Sequence, residues 1–380
     1  MPKGKKKEWW LECDGRGVLG KWGSNSSNST APSGVVQKEG EMFKCGKRMW
    51  IGLALAVLFL LPGLASGAGK PEQTKVRIGS SKDLQLGAQI GYAKASGWFK
   101  EKGLNVTLAL FTSGAEMTSA LAAGALKIGS FGDGPTANML GGRLPIKIIA
   151  AQAEISGTQQ VVVRKGIKHP KDLIGKKVGL TVGSSAQPLF LSMLNHFGVD
   201  NKKVNILNMR APEQVAAFVR GDIDGLAVWQ PHVRAAKLKG KGHALISAVE
   251  SFIPGAKGKV DFYSAYSIMS ARNEFINCCP NTIVTILSVL NRATKVLQDR
   301  NNWDEASKKL VRDFERPADE LKIYLNQNRY DMSIDKRMVK TLQTTINFLE
   351  SKGKLKSKPN VNDFLEPKFL KQVNPALVSY

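Results

Sequence analysis

A chain of 380 residues with 43% hydrophobic and 23% charged residues is long enough for two ordinary domains and too apolar to be disordered. Its 55 basic and 31 acidic residues give a formal net charge of +24, which raises the local concentration of anions. Four cysteines and four histidines, without metal-ligand spacing, exclude a metal site and a disulfide scaffold.

Residues 1–41 carry a lysine cluster (Lys3, Lys5, Lys6, Lys7) and a Ser/Asn run from Ser24 to Thr30. Such a tail can bind nucleic acid or membrane, but it reads best as a disordered extension or a mis-assigned start upstream of Met42. Lys44, Lys47 and Arg48 then precede a 13-residue apolar run, Met49 to Leu61, which gives way to Pro62, Gly63 and the small residues 65–69. Basic, apolar and small-residue regions in that order describe a cleaved secretory signal over 42–69. The run is shorter than the roughly 20 apolar residues of a membrane span. The expected product is therefore periplasmic or otherwise extracytoplasmic, and no cysteine follows the run to carry a lipid.

Beyond residue 69, 45 basic against 26 acidic residues leave a net +19. The lysines are scattered and lack the aromatic interleaving of single-strand binders, so a solvated basic surface is expected and no nucleic-acid partner. Cys278 and Cys279, adjacent in sequence, read as structural thiols at the start of a helix.

Val76–Gly79 predicts a strand, Leu86 to Ser96 a helix, and Val106–Leu110 a second strand. Thr112-Ser113-Gly114 is a polar loop able to cap the helix that follows. Ile146–Ala150 is a further strand. This alternation predicts a mostly parallel sheet with helices on its faces. Gln159–Arg164 reads as a strand crossing to a second lobe, where Val178-Gly179-Leu180 and a helix from Ala186 to Phe197 follow Gly183-Ser184-Ser185. Asp261 to Met269 reads as the strand that returns. The predicted organisation is lobe one over 70–164 and 264–380, lobe two over 165–263, and a hinge at 160–166 and 262–269. From Pro280 the pattern is helical, with Ile283, Ile286, Leu287 and Leu290 on one face, and these helices are expected to pack on lobe one.

One structural sentence occurs twice, 97 positions apart. Glu116 to Pro135 and Glu213 to Pro231 each read as a short helix stopped by a glycine, Gly124 or Gly221, where a left-handed residue is needed. Each continues as an apolar strand ending in a polar side chain and a proline. Asp133 and Gln230 thus fall at the carboxyl ends of strands, where open α/β sheets bind ligands. Two similar lobes presenting such edges make a cleft.

The candidate chemistry of that cleft is binding. Gly183-Ser184-Ser185 offers hydroxyls and free N–H groups at a helix N-terminus, an anion site or a plain N-cap, and Thr112, Ser113 and Gly114 make the same offer from lobe one. Asp133, beside Gly134, bonds its own turn or reaches ligand or the opposite lobe. Trp229 is either core or a stacking surface, and Gln85, Gln230 and Tyr266 complete the candidate set. His169, His196, His232 and His243 are dispersed. Gly129-x-x-Gly132-x-Gly134 follows its helix instead of opening one, so it is no nucleotide loop, and the G-x-S-x-G nucleophile elbow is absent.

Gly97-Trp98-Phe99-x-x-x-Gly103-Leu104-x-Val106, Gly132-Asp133-Gly134-Pro135, Val178-Gly179-Leu180-x-x-Gly183-Ser184-Ser185 and Ala227-Val228-Trp229-x-Pro231 together resemble the ABC-transporter solute-binding family for nitrate, sulfonates and taurine. That superfamily also holds binding proteins for thiamine-pyrimidine precursors. The resemblance covers about residues 74–300. It implies an α/β, two-lobed type II periplasmic-binding-protein fold with hinge strands and a C-terminal helical segment. It also implies a monomeric receptor, not an enzyme, that takes no cofactor and hands a small anionic solute to a membrane permease. Family members hold the anionic head with hydroxyls and N–H groups, which maps onto Thr112, Ser113, Ser184 and Ser185 with Asp133 and Trp229 nearby. Gln230 stands where an acidic residue often follows the tryptophan, and Lys127 where the helix-glycine motif often has Asp. An enzyme of this fold that makes the thiamine pyrimidine would need a cysteine and histidine iron site, which the chain lacks. A regulator's sensor domain would carry a helix-turn-helix where the signal stands.

Overall fold

The computed structural model describes residues 69–260 and 263–380. The expected N-terminal extension, nearly all of the expected signal, and Asp261 and Phe262 of the expected returning strand lie outside the described residues.

The first run alternates β1 (Lys75–Ser81), α1 (Leu84–Ala95), α2 (Trp98–Glu101), β2 (Asn105–Phe111), α3 (Gly114–Ala122), β3 (Ile128–Gly132), α4 (Asp133–Gly141) and β4 (Ile146–Glu154). The second comprises β5 (Gln159–Val163), β6 (Lys177–Leu180), α5 (Ala186–His196), β7 (Asn205–Asn208), α6 (Ala211–Arg220), β8 (Gly225–Trp229), α7 (His232–Lys239), β9 (His243–Ser247), β10 (Glu250–Ser251) and β11 (Gly258–Lys259). The chain then returns through β12 (Tyr266–Arg272) to α8 (Asn273–Cys278), α9 (Pro280–Gln298), α10 (Trp303–Phe314), α11 (Ala318–Leu325), β13 (Arg329–Tyr330) and α12 (Lys336–Ser351).

These strands form two large sheets, β13-β4-β12-β3-β1-β2 and β11-β10-β9-β5-β8-β6-β7. In the first, β1 pairs parallel with β2 and β3, while β12 enters antiparallel between β3 and β4. In the second, β6 pairs parallel with β7 and β8, while β5 enters antiparallel between β8 and β9. The expected mostly parallel order is thus interrupted in the middle of each sheet by the strand that has just crossed from the other one, and at the edges by antiparallel β13 in the first and β10 and β11 in the second. Strands buried on both faces read as continuous apolar runs, and Val161, Val162, Val163, Leu226, Ala227 and Val228 are fully enclosed. Burying each valine or leucine side chain contributes about 1.5–3 kcal/mol.

The duplicated segment falls in matching places. Helix α3 leads into β3 and α6 into β8, and each of those strands lies next to a crossing strand. Gly124 (φ 76°) and Gly221 (φ 101°) adopt the left-handed conformation expected after each helix. Helices α9 and α10 pack on α1, and α12 packs on α4, so the C-terminal helices cover the first half of the molecule, with α12 also touching α5.

Two expectations need correction. The first crossing lies at residues 155–158 rather than 160–166, because Gln159–Val163 is already a full strand of the second sheet, paired on both edges. Residue 164 is therefore not where the first half ends. Cys278 and Cys279 are not free thiols but are bonded to each other. Cys279 has φ −139° and ψ 51° at the break between α8 and α9, so it is released from helical geometry and the two sulfurs can meet.

Candidate ligand-binding site

A cavity of about 30 Å³ lies where the carboxyl ends of β1, β3 and β8 approach the start of α5. It has room for about two waters. Ser81, Asp83, Gln85 and Gly132 wall it from the first half, and Gln159, Ser184, Ser185 and Trp229 from the second.

Asp83 organises one wall. As the N-cap of α1, its carboxylate accepts from the N–H groups of Gln85 (3.0 Å) and Leu86 (3.2 Å). It also accepts from Ser81 Oγ at 2.5 Å, and the nearby Trp229 indole favours the ionised form as well. Three donors thus hold the carboxylate. Burial nevertheless outweighs them and pushes Asp83 up to about 6. Gln85 spans the two halves: its amide oxygen is bonded to Thr158, and its amide nitrogen donates to the Gln230 carbonyl at 3.4 Å.

The opposite wall is the start of α5. Ser184 and Ser185 do not cap it by their side chains: Ser184 Oγ donates to the Thr181 carbonyl (2.7 Å) and Ser185 Oγ accepts from the Gly134 N–H (3.2 Å). In the first turn of α5 the Gln187 N–H donates to the Ser184 carbonyl (3.2 Å) and Pro188 has no N–H, which leaves the Ala186 N–H at the helix start. Gly134 must be a glycine here, since a Cβ would fall 2.6 Å from the Ser184 carbonyl oxygen and 2.8 Å from the Ser185 nitrogen. Gln159 is 1% exposed and its amide oxygen has no partner, an unmet acceptor on a cavity wall.

Of the sequence-predicted residues, the cavity gathers Gln85, Gly114, Ser184, Ser185 and Trp229. The other six are spent elsewhere. Ser113 accepts from the Glu116 N–H as the N-cap of α3, and exposed Thr112 donates its own N–H to the Glu116 carboxylate. Gln230 turns its side-chain oxygen to the Arg234 N–H at 3.1 Å, at the start of α7. Tyr266 is buried near the Glu154, Arg329 and Arg337 cluster, and burial raises its phenol. Gly134 serves the contact with Ser185. Asp133 opens α4 rather than ending β3, and its carboxylate meets Tyr263 Oη (2.6 Å) and Thr345 Oγ1 (3.2 Å). It is fully buried and pushed up to about 6 by burial, against the Tyr263, Ser185 and Thr345 hydroxyls. Sequence reading missed Ser81, Asp83, Gln159 and Tyr263. The first two stand where strand β1 gives way to α1, the strand-end position that singled out Asp133 and Gln230.

A family model described as NMT1/THI5 like matches residues 88–301. The chain belongs to that family. It is 37% identical over 142 residues to the taurine-binding periplasmic protein of Escherichia coli K12, a match covering 37% of this chain and 44% of that protein's length. It is 26% identical over 329 residues to a putative aliphatic sulfonates-binding protein of Bacillus subtilis 168, covering 84% of this chain and 94% of the relative. Among solved structures, the alkanesulfonate-binding protein SsuA of Xanthomonas axonopodis pv. citri bound to MOPS superposes with a TM-score of 0.66 at 19% identity, over 78% of this chain and 99% of that one. The fold is thus that of a periplasmic binding protein, as the resemblance implied. Among the described residues no helix is long and apolar enough to cross a membrane.

Proposed function

We propose that this protein is the exported receptor of an ABC importer, capturing a small anionic organic solute of the aliphatic sulfonate, taurine or nitrate class between its two halves. The observation that carries this reading is the cavity itself. One wall supplies a helix N-terminus and two serines, a setting for an oxyanion, and the facing wall supplies an indole for an organic tail. The names of the relatives, taurine-binding and aliphatic sulfonates-binding, point to the same class. No cysteine or histidine is among the residues lining the cavity, which favours capture over nucleophilic chemistry. The partner is then a membrane permease, and the receptor works as a monomer outside the cytoplasm after cleavage of the 42–69 signal.

A thermal-shift panel of taurine, ethanesulfonate, nitrate and a thiamine-pyrimidine precursor tests the class. A cognate solute at 100 times its dissociation constant adds about 2.7 kcal/mol of stability. Replacing Ser184 and Ser185 together with alanine removes most of that shift. If the pyrimidine alone protects, the solute class is the precursor one. If nothing in the panel protects, the sulfonate reading fails.

A further inference from the structure

Asp133, Tyr263 and Ser185 form a chain that runs from the first half of the molecule to the second. Tyr263 Oη lies 2.6 Å from Asp133 Oδ2 and 3.0 Å from the Ser185 carbonyl oxygen. A phenol carries one proton, and an ionised carboxylate and a carbonyl are both acceptors. With Asp133 ionised, the Tyr263 proton goes to the carboxylate and the Ser185 carbonyl loses its donor. With Asp133 protonated, the carboxyl donates to Tyr263 and Tyr263 donates to Ser185, so every hydrogen finds an acceptor. Thr345 Oγ1 donates to Asp133 Oδ2 at 3.2 Å in either state.

We propose that bringing the two halves together takes up a proton at Asp133, so that acid favours the closed receptor. This rests on the receptor reading above. No charged group bonds the carboxyl, although Arg337 and Lys340 line the pocket that Tyr263 and Thr345 share. Tyr263 from the crossing and Thr345 from α12 bond the carboxyl, the Ser185 hydroxyl ahead of α5 lies near it, and all three are uncharged. On α12, Arg337 is paired with Glu154 at 3.0 Å and Lys340 is exposed. α3, β3 and β12, also packed near α4, add no charge to the influences on the carboxyl. Burial accordingly holds Asp133 at about 6 in this arrangement, and Tyr263 well above its ordinary value. A carboxyl whose pKa rises on closing favours the closed form fully below its open-state value, and loses that advantage as pH climbs through about 6.

The test is small-angle scattering of the solute-free mature protein between pH 5 and pH 8, as wild type, Asp133→Asn and Tyr263→Phe. Asp83 titrates in the same region, so the signature is the difference between wild type and Asp133→Asn. Wild type becomes more compact toward pH 5. Asp133→Asn, whose amide donates to Tyr263 at every pH, stays compact with a smaller pH response, and Tyr263→Phe is more open at pH 5. Identical pH responses in wild type and Asp133→Asn, or an unaltered Tyr263→Phe, overturn the proposal. Calorimetry with taurine in buffers of different ionisation enthalpy gives a second reading: proton uptake larger in wild type than in Asp133→Asn, with affinity roughly tenfold higher at pH 5 than at pH 7. If taurine does not bind while compactness still follows Asp133, the solute reading fails and the proton linkage stands.

Discussion

Trp229, at the end of β8 in the second sheet, and Asp83, the N-cap of α1 in the first half, line the same cavity, and the indole counters part of the upward push that burial gives the Asp83 carboxyl. One side chain therefore starts a helix and stands against the aromatic wall that the other half supplies. Asp83→Ala removes an N-cap and takes away the carboxylate that stands beside the Trp229 indole on the cavity wall. We expect a loss of about 2 kcal/mol in chemical denaturation, with a red-shifted tryptophan emission as Trp229 is released. A variant with wild-type stability and spectrum would show that Asp83 holds neither.

Two buried carboxyls contribute a stability that grows as the pH falls toward 5. Asp83 and Asp133, both ordinarily near 3.8, are each pushed up to about 6 by burial. The folded state then binds more protons than the unfolded state between these values, so stability falls as pH rises through about 6. Exposed carboxylates such as Asp172 and Glu213, held down by hydrogen bonds, lose their contribution only at still lower pH. His232 works the other way: burial pushes it down to about 4, so below about 6.5 the unfolded imidazole takes up a proton that the folded one refuses. Calorimetric melts of His232→Gln, which removes that opposition, should therefore give a higher Tm at pH 5 than at pH 7.5. The reverse order would mean that the two carboxyls are solvated.

Gly134→Ala puts a methyl group against the backbone of Ser184 and Ser185, which cannot move aside as a side chain can. Overpacking of this kind costs about 1–3 kcal/mol, and here it is relieved by separating the halves. We expect a larger radius of gyration and weaker taurine binding, with little loss of helix content by circular dichroism.

Gln159→Met replaces a buried, unpartnered amide oxygen with an apolar chain of similar length. Removing an unsatisfied acceptor is neutral or stabilising by up to about 1 kcal/mol in the solute-free protein. If Gln159 serves the solute, taurine affinity falls tenfold or more in the same variant. Unchanged affinity would assign the residue to the cavity wall alone.

Much of this molecule is written in local patterns. The alternation of apolar strands and helices, the glycine stops at Gly124 and Gly221, the polar turn ahead of α5 and the duplicated unit are short-range features. They depend on the periodicity of side chains and on backbone conformations that only certain residues adopt, so they are legible in the sequence. What the polar residues do is a different matter. Ser113, Gln230 and Asp133 carry groups suited to a ligand, yet each is taken by a partner on its own helix or on a distant element, from the Glu116 N–H to Thr345, 212 positions away. Which acceptor remains free depends on competition among all nearby donors, and those neighbours are set by how the two sheets approach each other. The earlier crossing at 155–158 has the same origin: Gln159–Arg164 reads as a strand passing between the lobes until β8 and β9 pair with Gln159 to Val163 on either side. Periodicity decides the elements, but only tertiary packing decides which polar atoms are left facing the cavity.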